Sequence, residues 1–136
     1  MKWPPTDLAL LEEIYKRYYP TYLRFSREEP TRSAKVYVPI DIKALATHFS
    51  VDNDIIFGRL YYYLEKKYGF KEPDGSVVHF FALRVGKDTN AIQFPLLGSV
   101  VATLRDERKK HQLATWLSIV ALVISVLTAG ISLFDE

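Results

Sequence analysis

Cysteine is absent from the 136 residues, which removes disulfides, a thiolate nucleophile and cysteine-based zinc sites together. Histidine is scarce, and no two of His48, His79 and His111 are spaced to ligate one metal. His48 reads as a helix-end residue placed to meet the helix dipole. Glycine is also sparse, and Gly86-Lys87-Asp88-Thr89 lacks the glycine spacing of a phosphate loop. Asp52-Asn53-Asp54 has the start of a calcium loop, but Tyr63 stands where the bidentate glutamate belongs, so the trio reads as helix capping. No catalytic, cofactor-binding or metal-binding residue is expected, and the chain is read as a non-enzyme. The N-terminal stretch MKWPPTDLALLEEIYKR has no long apolar core, so no cleaved signal peptide is expected.

Charge is missing altogether from residues 113–134, LATWLSIVALVISVLTAGISLF. As a helix this run is roughly 33 Å long, enough to cross the hydrocarbon core of a bilayer. A helix of a water-soluble domain usually keeps one polar face, and this run has no charge on any face. Arg105, Arg108, Lys109 and Lys110 form a basic cluster just before it, with His111 beside them, and only Asp135 and Glu136 follow. Lysine and arginine flanking a span stay on the cytoplasmic side. The expectation is therefore a single-pass tail anchor with residues 1–112 cytoplasmic, the C-terminus across the membrane, and insertion once synthesis is nearly complete. Trp116 fits an interfacial anchor, and the basic cluster suits anionic headgroups of the lipid bilayer.

The rest has a composition suited to one packed domain. Eighteen Lys/Arg against sixteen Asp/Glu give a net charge of +2, and nine Tyr, eight Phe and two Trp supply bulk for a core or a sticky surface. No internal repeat or low-complexity tract is present. Thr6 caps a first helix carrying Leu8, Leu11, Ile14, Tyr15 and Tyr18 at helical spacing, which Pro20 is expected to end. Residues 20–34 read as a connection that tacks Tyr22, Leu23 and Phe25 onto the core. A short strand is expected at 35–39. Asp41 caps a helix over 42–49 with Ile42, Leu45, Ala46 and Phe49 inward. After a turn at Ser50-Val51, a third helix spans 52–68 with Ile56, Leu60 and Leu64 inward, stopped by Gly69 as a left-handed cap. Strands at 70–72 and 77–85 flank a turn over 73–76, a loop covers 86–90, and a further short strand covers 92–94.

The region 41–85 resembles the winged helix-turn-helix superfamily, and the residues that carry the resemblance are IDIKALATHFSVDNDIIFGRLYYYLEKKYGF, from Ile40, followed by KEPDGSVVHFF, to Phe81. Ala46 takes the small position where the two helices cross, Ser50 lies in the turn between them, and Ile56 and Leu60 take the buried positions of the next helix. The resemblance implies an α+β, winged-helix-like domain with KEPDGSVVHFF, residues 71–81, as its wing; residues 1–94 are read as that domain, 95–112 as a juxtamembrane stalk and 113–134 as the transmembrane helix. In many members the third helix enters the DNA major groove. Here its first turn holds Asp52 and Asp54, which repel phosphate. Arg59, Lys66 and Lys67 are its only bases, so nucleic acid is a disfavoured partner. Three consecutive tyrosines on a helix cannot all face one core, so at least one of Tyr61, Tyr62 and Tyr63 is exposed. Arg59, Tyr61, Tyr62, Lys66 and Lys67 form the candidate face for a protein partner or DNA.

A seam runs along a continuous helix from 95 to 134, opened by Pro95. In steps of three and four it takes Leu97, Val100, Leu104, Glu107 and His111 before the span. Within the span it takes Ala114, Ser118, Ala121, Ser125, Thr128 and Ser132. The first part reads as a stalk seam of coiled-coil type, where His111 follows Glu107 by one turn. The second is wholly small or hydroxylic, which lets membrane helices approach closely. The favoured function is an adaptor or regulator: a cytoplasmic unit binds an unidentified protein partner, and the membrane helix self-associates into a homo-oligomer. Two alternatives stand beside it, an oligomeric membrane effector that breaches the bilayer and a membrane-tethered transcription regulator. No cofactor and no small-molecule substrate is expected.

Overall fold

The computed structural model describes residues 3–135. The chain is α+β, in two compact units, residues 1–101 and 102–136. The first helix, α1, runs Asp7–Leu23, capped by Thr6, whose hydroxyl accepts the Ala9 N–H at 3.1 Å. It buries Leu10, Leu11 and Ile14. Pro20 does not end it but lies inside it. Proline removes one intrahelical donor and normally breaks a helix, yet one further turn forms here. Its open carbonyls are taken up locally: Arg24 N–H donates to Pro20 O at 3.2 Å, and Arg32 donates to the carbonyls of Thr21 and Tyr22 at 3.0 and 3.1 Å. Leu23 is exposed, contrary to expectation, whereas Tyr22 stacks on Phe94 with ring centroids 4.8 Å apart.

Strand β1 is Tyr37–Pro39 and helix α2 is Ile42–Phe49. Asp41 caps α2 by accepting the Ala44 N–H at 3.0 Å, and its own N–H donates to the Tyr18 hydroxyl at 2.7 Å. Ser50 closes α2 in the left-handed region, φ 56°. The third helical stretch begins as α3, Asn53–Gly58, capped by Asp52, whose carboxylate accepts the Asp54 N–H at 2.9 Å. It widens into a π-helix over Arg59–Leu64 and closes as α4, Glu65–Tyr68. Gly69 is extended rather than left-handed, with φ −69°. Its need for glycine is steric, because a Cβ there would stand 2.7 Å from both Glu65 O and Glu65 Oε1.

The single strand expected over 77–85 is two strands. β2, Phe70–Lys71, pairs antiparallel with β3, Val77–Val78. β4, Phe81–Val85, turns at Gly86-Lys87 into β5, Asp88–Gln93, so most of the loop expected over 86–90 is strand. Gly86 takes φ 59°, and a Cβ there would also meet Ser33 Oγ at 2.5 Å. The three-stranded sheet has the order β1-β5-β4, antiparallel throughout, with Val38 opposite Ile92 and Phe81 opposite Ile92 on its other side. Its core holds Leu10, Ile14, Leu45, Ile56, Leu60, Leu64, Phe80 and Phe81, all essentially inaccessible to solvent.

Helix α5 runs Phe94–Phe134, 41 residues without interruption. Gln93 caps it through its side-chain carbonyl, which accepts Leu96 N–H at 2.8 Å. Phe94, Leu97, Val100 and Val101 are buried in the first unit. Leu97 and Val100 are therefore core residues, not the start of an intermolecular seam. A side chain already enclosed by its own chain has no face left for another. Leu104 is half-buried, and Glu107 and His111 are exposed.

Candidate functional site

The face named from the sequence separates into two groups. Arg59 and Lys67 gather around Asp7 of α1. Arg59 Nε donates to Asp7 Oδ1 at 2.8 Å, and Lys67 Nζ lies 3.9 Å from Asp7 Oδ2. Both cations also lie over the Tyr63 ring, at 5.5 and 5.6 Å. Lys67 is held above its ordinary value, first by the Tyr68 phenol and then by Tyr63 and Asp7. This cluster fastens the N-terminus of α1 to the third helix and leaves neither base free to track a phosphate backbone.

Tyr61, Tyr62 and Lys66 go to the other side. With Glu65, His79, Phe81, Ala82, Leu83 and Arg84 they line a cleft of about 680 Å³ between the third helix and β4. Tyr62 is 71% exposed and Leu83 44%, while Phe81 is buried beneath them. Tyr62 and Tyr63 are both exposed, where the helix geometry required at least one of the three. Tyr61 stacks on Phe57 at 5.4 Å, and Tyr62 meets Tyr61 edge to face at 5.0 Å. The π-helix covers this aromatic run, and such widened turns cluster at functional positions.

Glu65 organises the end of the cleft. Its Oε1 accepts the N–H groups of Phe80 and Phe81 at 2.6 and 3.2 Å, and its Oε2 lies 2.5 Å from His79 Nδ1. These contacts hold the chain where β3 gives way to β4. They spend the one carboxylate that lines the cleft. Lys66 and Arg84 are exposed, and neither forms an ion pair among the described residues. The cleft is therefore aromatic, partly apolar and positively charged.

His79, Leu83 and Arg84 were not assigned to a site from the sequence. No local signal marks them, since what makes them a site is the approach of β4 to a helix that precedes it in the chain. His48 pairs with Glu13 of α1, 3.5 Å away, and stands edge-on to Phe49. Among the described residues no group of three or more acidic, histidine or cysteine side chains is placed to hold a metal.

In the second unit, α5 contains a stretch long and apolar enough to cross a membrane, and none of that stretch is buried within the chain. Trp116, Leu117, Ile119, Leu122, Ile124, Leu127 and Ile131 are all exposed. On the small-residue face, Ser118 Oγ donates to Ala114 O and Thr128 Oγ1 to Ile124 O, both at 2.9 Å. Ala121, Ser125 and Ser132 are exposed on the same helix. In the basic cluster Lys110 pairs with Asp106 at 3.0 Å, while Arg105, Arg108 and Lys109 are exposed. No protein-family model, curated protein or solved structure matches the chain.

Proposed function

We propose that this chain is a membrane-anchored adaptor whose N-terminal unit holds a protein partner at the cytoplasmic surface of a bilayer. The observation that carries the reading is the uncharged run over 113–134, none of which is buried within the chain. Each large side chain left in water forfeits about 1.5–3 kcal/mol, and a bilayer removes that cost for the entire run at once. The basic residues at 105–110 favour a cytoplasmic first unit under the positive-inside rule.

The first unit is read as winged-helix-like. The sheet order β1-β5-β4 and the helices α2 and α3 between the first two strands in sequence support that reading. The wing then belongs on the β4–β5 hairpin around Gly86-Lys87, and the hairpin over 70–78 is an addition to it. Protein rather than nucleic acid is the favoured partner, because Asp52 and Asp54 sit at the start of the third helix and Asp7 engages Arg59 and Lys67. Self-association through Ala114, Ser118, Ala121, Ser125, Thr128 and Ser132 belongs to the same proposal.

A photo-reactive phenylalanine derivative placed at Tyr62 of the full-length chain, in its native membranes, tests the reading. The expected outcome is a chain that stays in the membrane pellet through alkaline carbonate extraction and forms a discrete cross-link to another protein. Release by carbonate overturns the membrane assignment. Cross-linking to nucleic acid alone overturns the adaptor in favour of the transcription regulator.

A further inference from the structure

We propose that the open edge of β4 accepts an extended, acidic segment of the partner as an added strand; this rests on the reading that the first unit binds a protein. In the order β1-β5-β4, β4 has a neighbour on one side only. The residues of β4 that line the cleft are Phe81, Ala82, Leu83 and Arg84. The cleft therefore runs along an unpaired strand edge, and such edges template the addition of another strand. Glu65 already takes the N–H groups of Phe80 and Phe81. It closes the near end of the edge and leaves the stretch from Ala82 onward for an incoming chain. A volume of about 680 Å³ lies within the range of about 300–1,000 Å³ typical of ligand sites.

Charge selects the occupant. Lys66 on the helix wall and Arg84 on the strand wall are exposed and without ion-pair partners among the described residues, and the cleft's carboxylate is occupied. An acidic segment supplies the missing counter-charges. A second copy of this chain would bring Lys66 and Arg84 against their own kind. Duplex DNA could meet the two cations and accept from an amide through a phosphate oxygen, but it has no alternating row of donors and acceptors to pair with the strand's carbonyls and amides in register. Alternate residues of an added strand face opposite ways, so an apolar–acidic alternation fits both an exposed apolar surface, Leu83 and Tyr62, and the two cations.

The probe is a fluorescein-labelled hexapeptide, Val-Glu-Val-Glu-Val-Glu, titrated against the full-length chain in phosphatidylcholine nanodiscs and followed by anisotropy. Saturable binding is expected, with none for Val-Lys-Val-Lys-Val-Lys. Methylating alternate peptide nitrogens on the edge that would face β4 should weaken binding by about tenfold or more, since strand pairing needs those donors. The double variant Lys66→Glu with Arg84→Glu should reverse the preference and take up the Val/Lys peptide, a gain that misfolding cannot produce. No saturable binding of the Val/Glu peptide up to about 1 mM, the weak end of useful affinity, overturns the proposal. So does equal binding of the methylated peptide, an unreversed preference in the double variant, or displacement of the peptide by a DNA duplex at about 150 mM salt, where weak phosphate contacts are lost. A Tyr62 cross-link to protein that persists while the peptides fail removes strand addition alone and leaves the adaptor reading standing.

Discussion

Arg32 lies buried in the first unit, and no carboxylate is within salt-bridge distance among the described residues. Its guanidinium is instead enclosed by backbone carbonyls, donating to Thr21 O, Tyr22 O, Ala34 O and Lys35 O at 2.7–3.1 Å, with the Phe25 ring 4.9 Å below. Burial lowers its pKa, against the opposing fields of Asp88 and Tyr22. The planar fork reaches all four oxygens, which a lysine could not do. Arg32→Ala should cost about 3 kcal/mol, the scale set by charge-assisted hydrogen bonds whose partners are then left unsatisfied. Arg32→Lys should cost about half of that, and thermal unfolding of the full-length chain in detergent checks both. Asp74 behaves differently. It is held below the ordinary carboxylate range, first by the Ser76 hydroxyl at 2.6 Å and then by the Ser76 N–H at 2.9 Å. A depressed folded pKa contributes stability that is present above the unfolded value, about 3.9, and is lost as pH falls through the folded value. The turn over 73–76 should therefore stay closed down to about pH 4 and loosen below it. The Ser76 amide resonance should titrate with a midpoint under the ordinary Asp value, and Asp74→Asn should abolish the transition.

Element by element, local chemistry was readable wherever one side chain decides the outcome. Thr6, Asp41 and Asp52 cap the helices they were expected to cap. Leu45, Ala46, Ile56, Leu60 and Leu64 face inward as their spacing requires. Failures arose where distant groups decide. Pro20 is carried inside α1 because Arg32, in the following connection, satisfies carbonyls of the last turn. The break between β3 and β4 is set by Glu65, fourteen positions before His79, and no strand propensity at 77–85 announces it. The candidate face was half legible for the same reason: Tyr61, Tyr62 and Lys66 were named, but their counterparts Leu83 and Arg84 come from a strand whose approach is tertiary. In α5 the hydroxyls of Ser118 and Thr128 donate to their own helix, so the proposed self-association would rest on small size at those two positions rather than on hydroxyl donors. Leu in place of Ser118, Ser125 and Ser132 should keep the helix in the membrane and weaken association. Ala in place of Leu117, Ile124 and Ile131 should leave association nearly intact. Single serine changes would disturb one close contact among several along the face, so the triple variants carry the test. Cross-linking of both triple variants checks this, and equal cross-linking of the serine triple and the unmodified chain would refute the seam.

At the scale of the whole molecule, residues 95–101 were expected to be stalk and serve as core. Phe94, Leu97, Val100 and Val101 close the hydrophobic interior of the first unit, with Tyr15 and Tyr22 stacked on Phe94 at 5.2 and 4.8 Å. The helix that carries the apolar run thus begins as part of the fold it follows. Anyone severing the anchor to study the rest in water meets this at once. A fragment cut at residue 94 would open the part of the interior that Leu97, Val100 and Val101 fill, with about 1.5–3 kcal/mol of burial forfeited at each. That deficit is of the order of a small domain's entire stability. Such a fragment should aggregate or show poorly dispersed, broadened amide spectra. One ending just past Leu104 should give a cooperative melt and sharp resonances. The natural place to cut this protein is therefore inside its longest helix, where no loop marks a border.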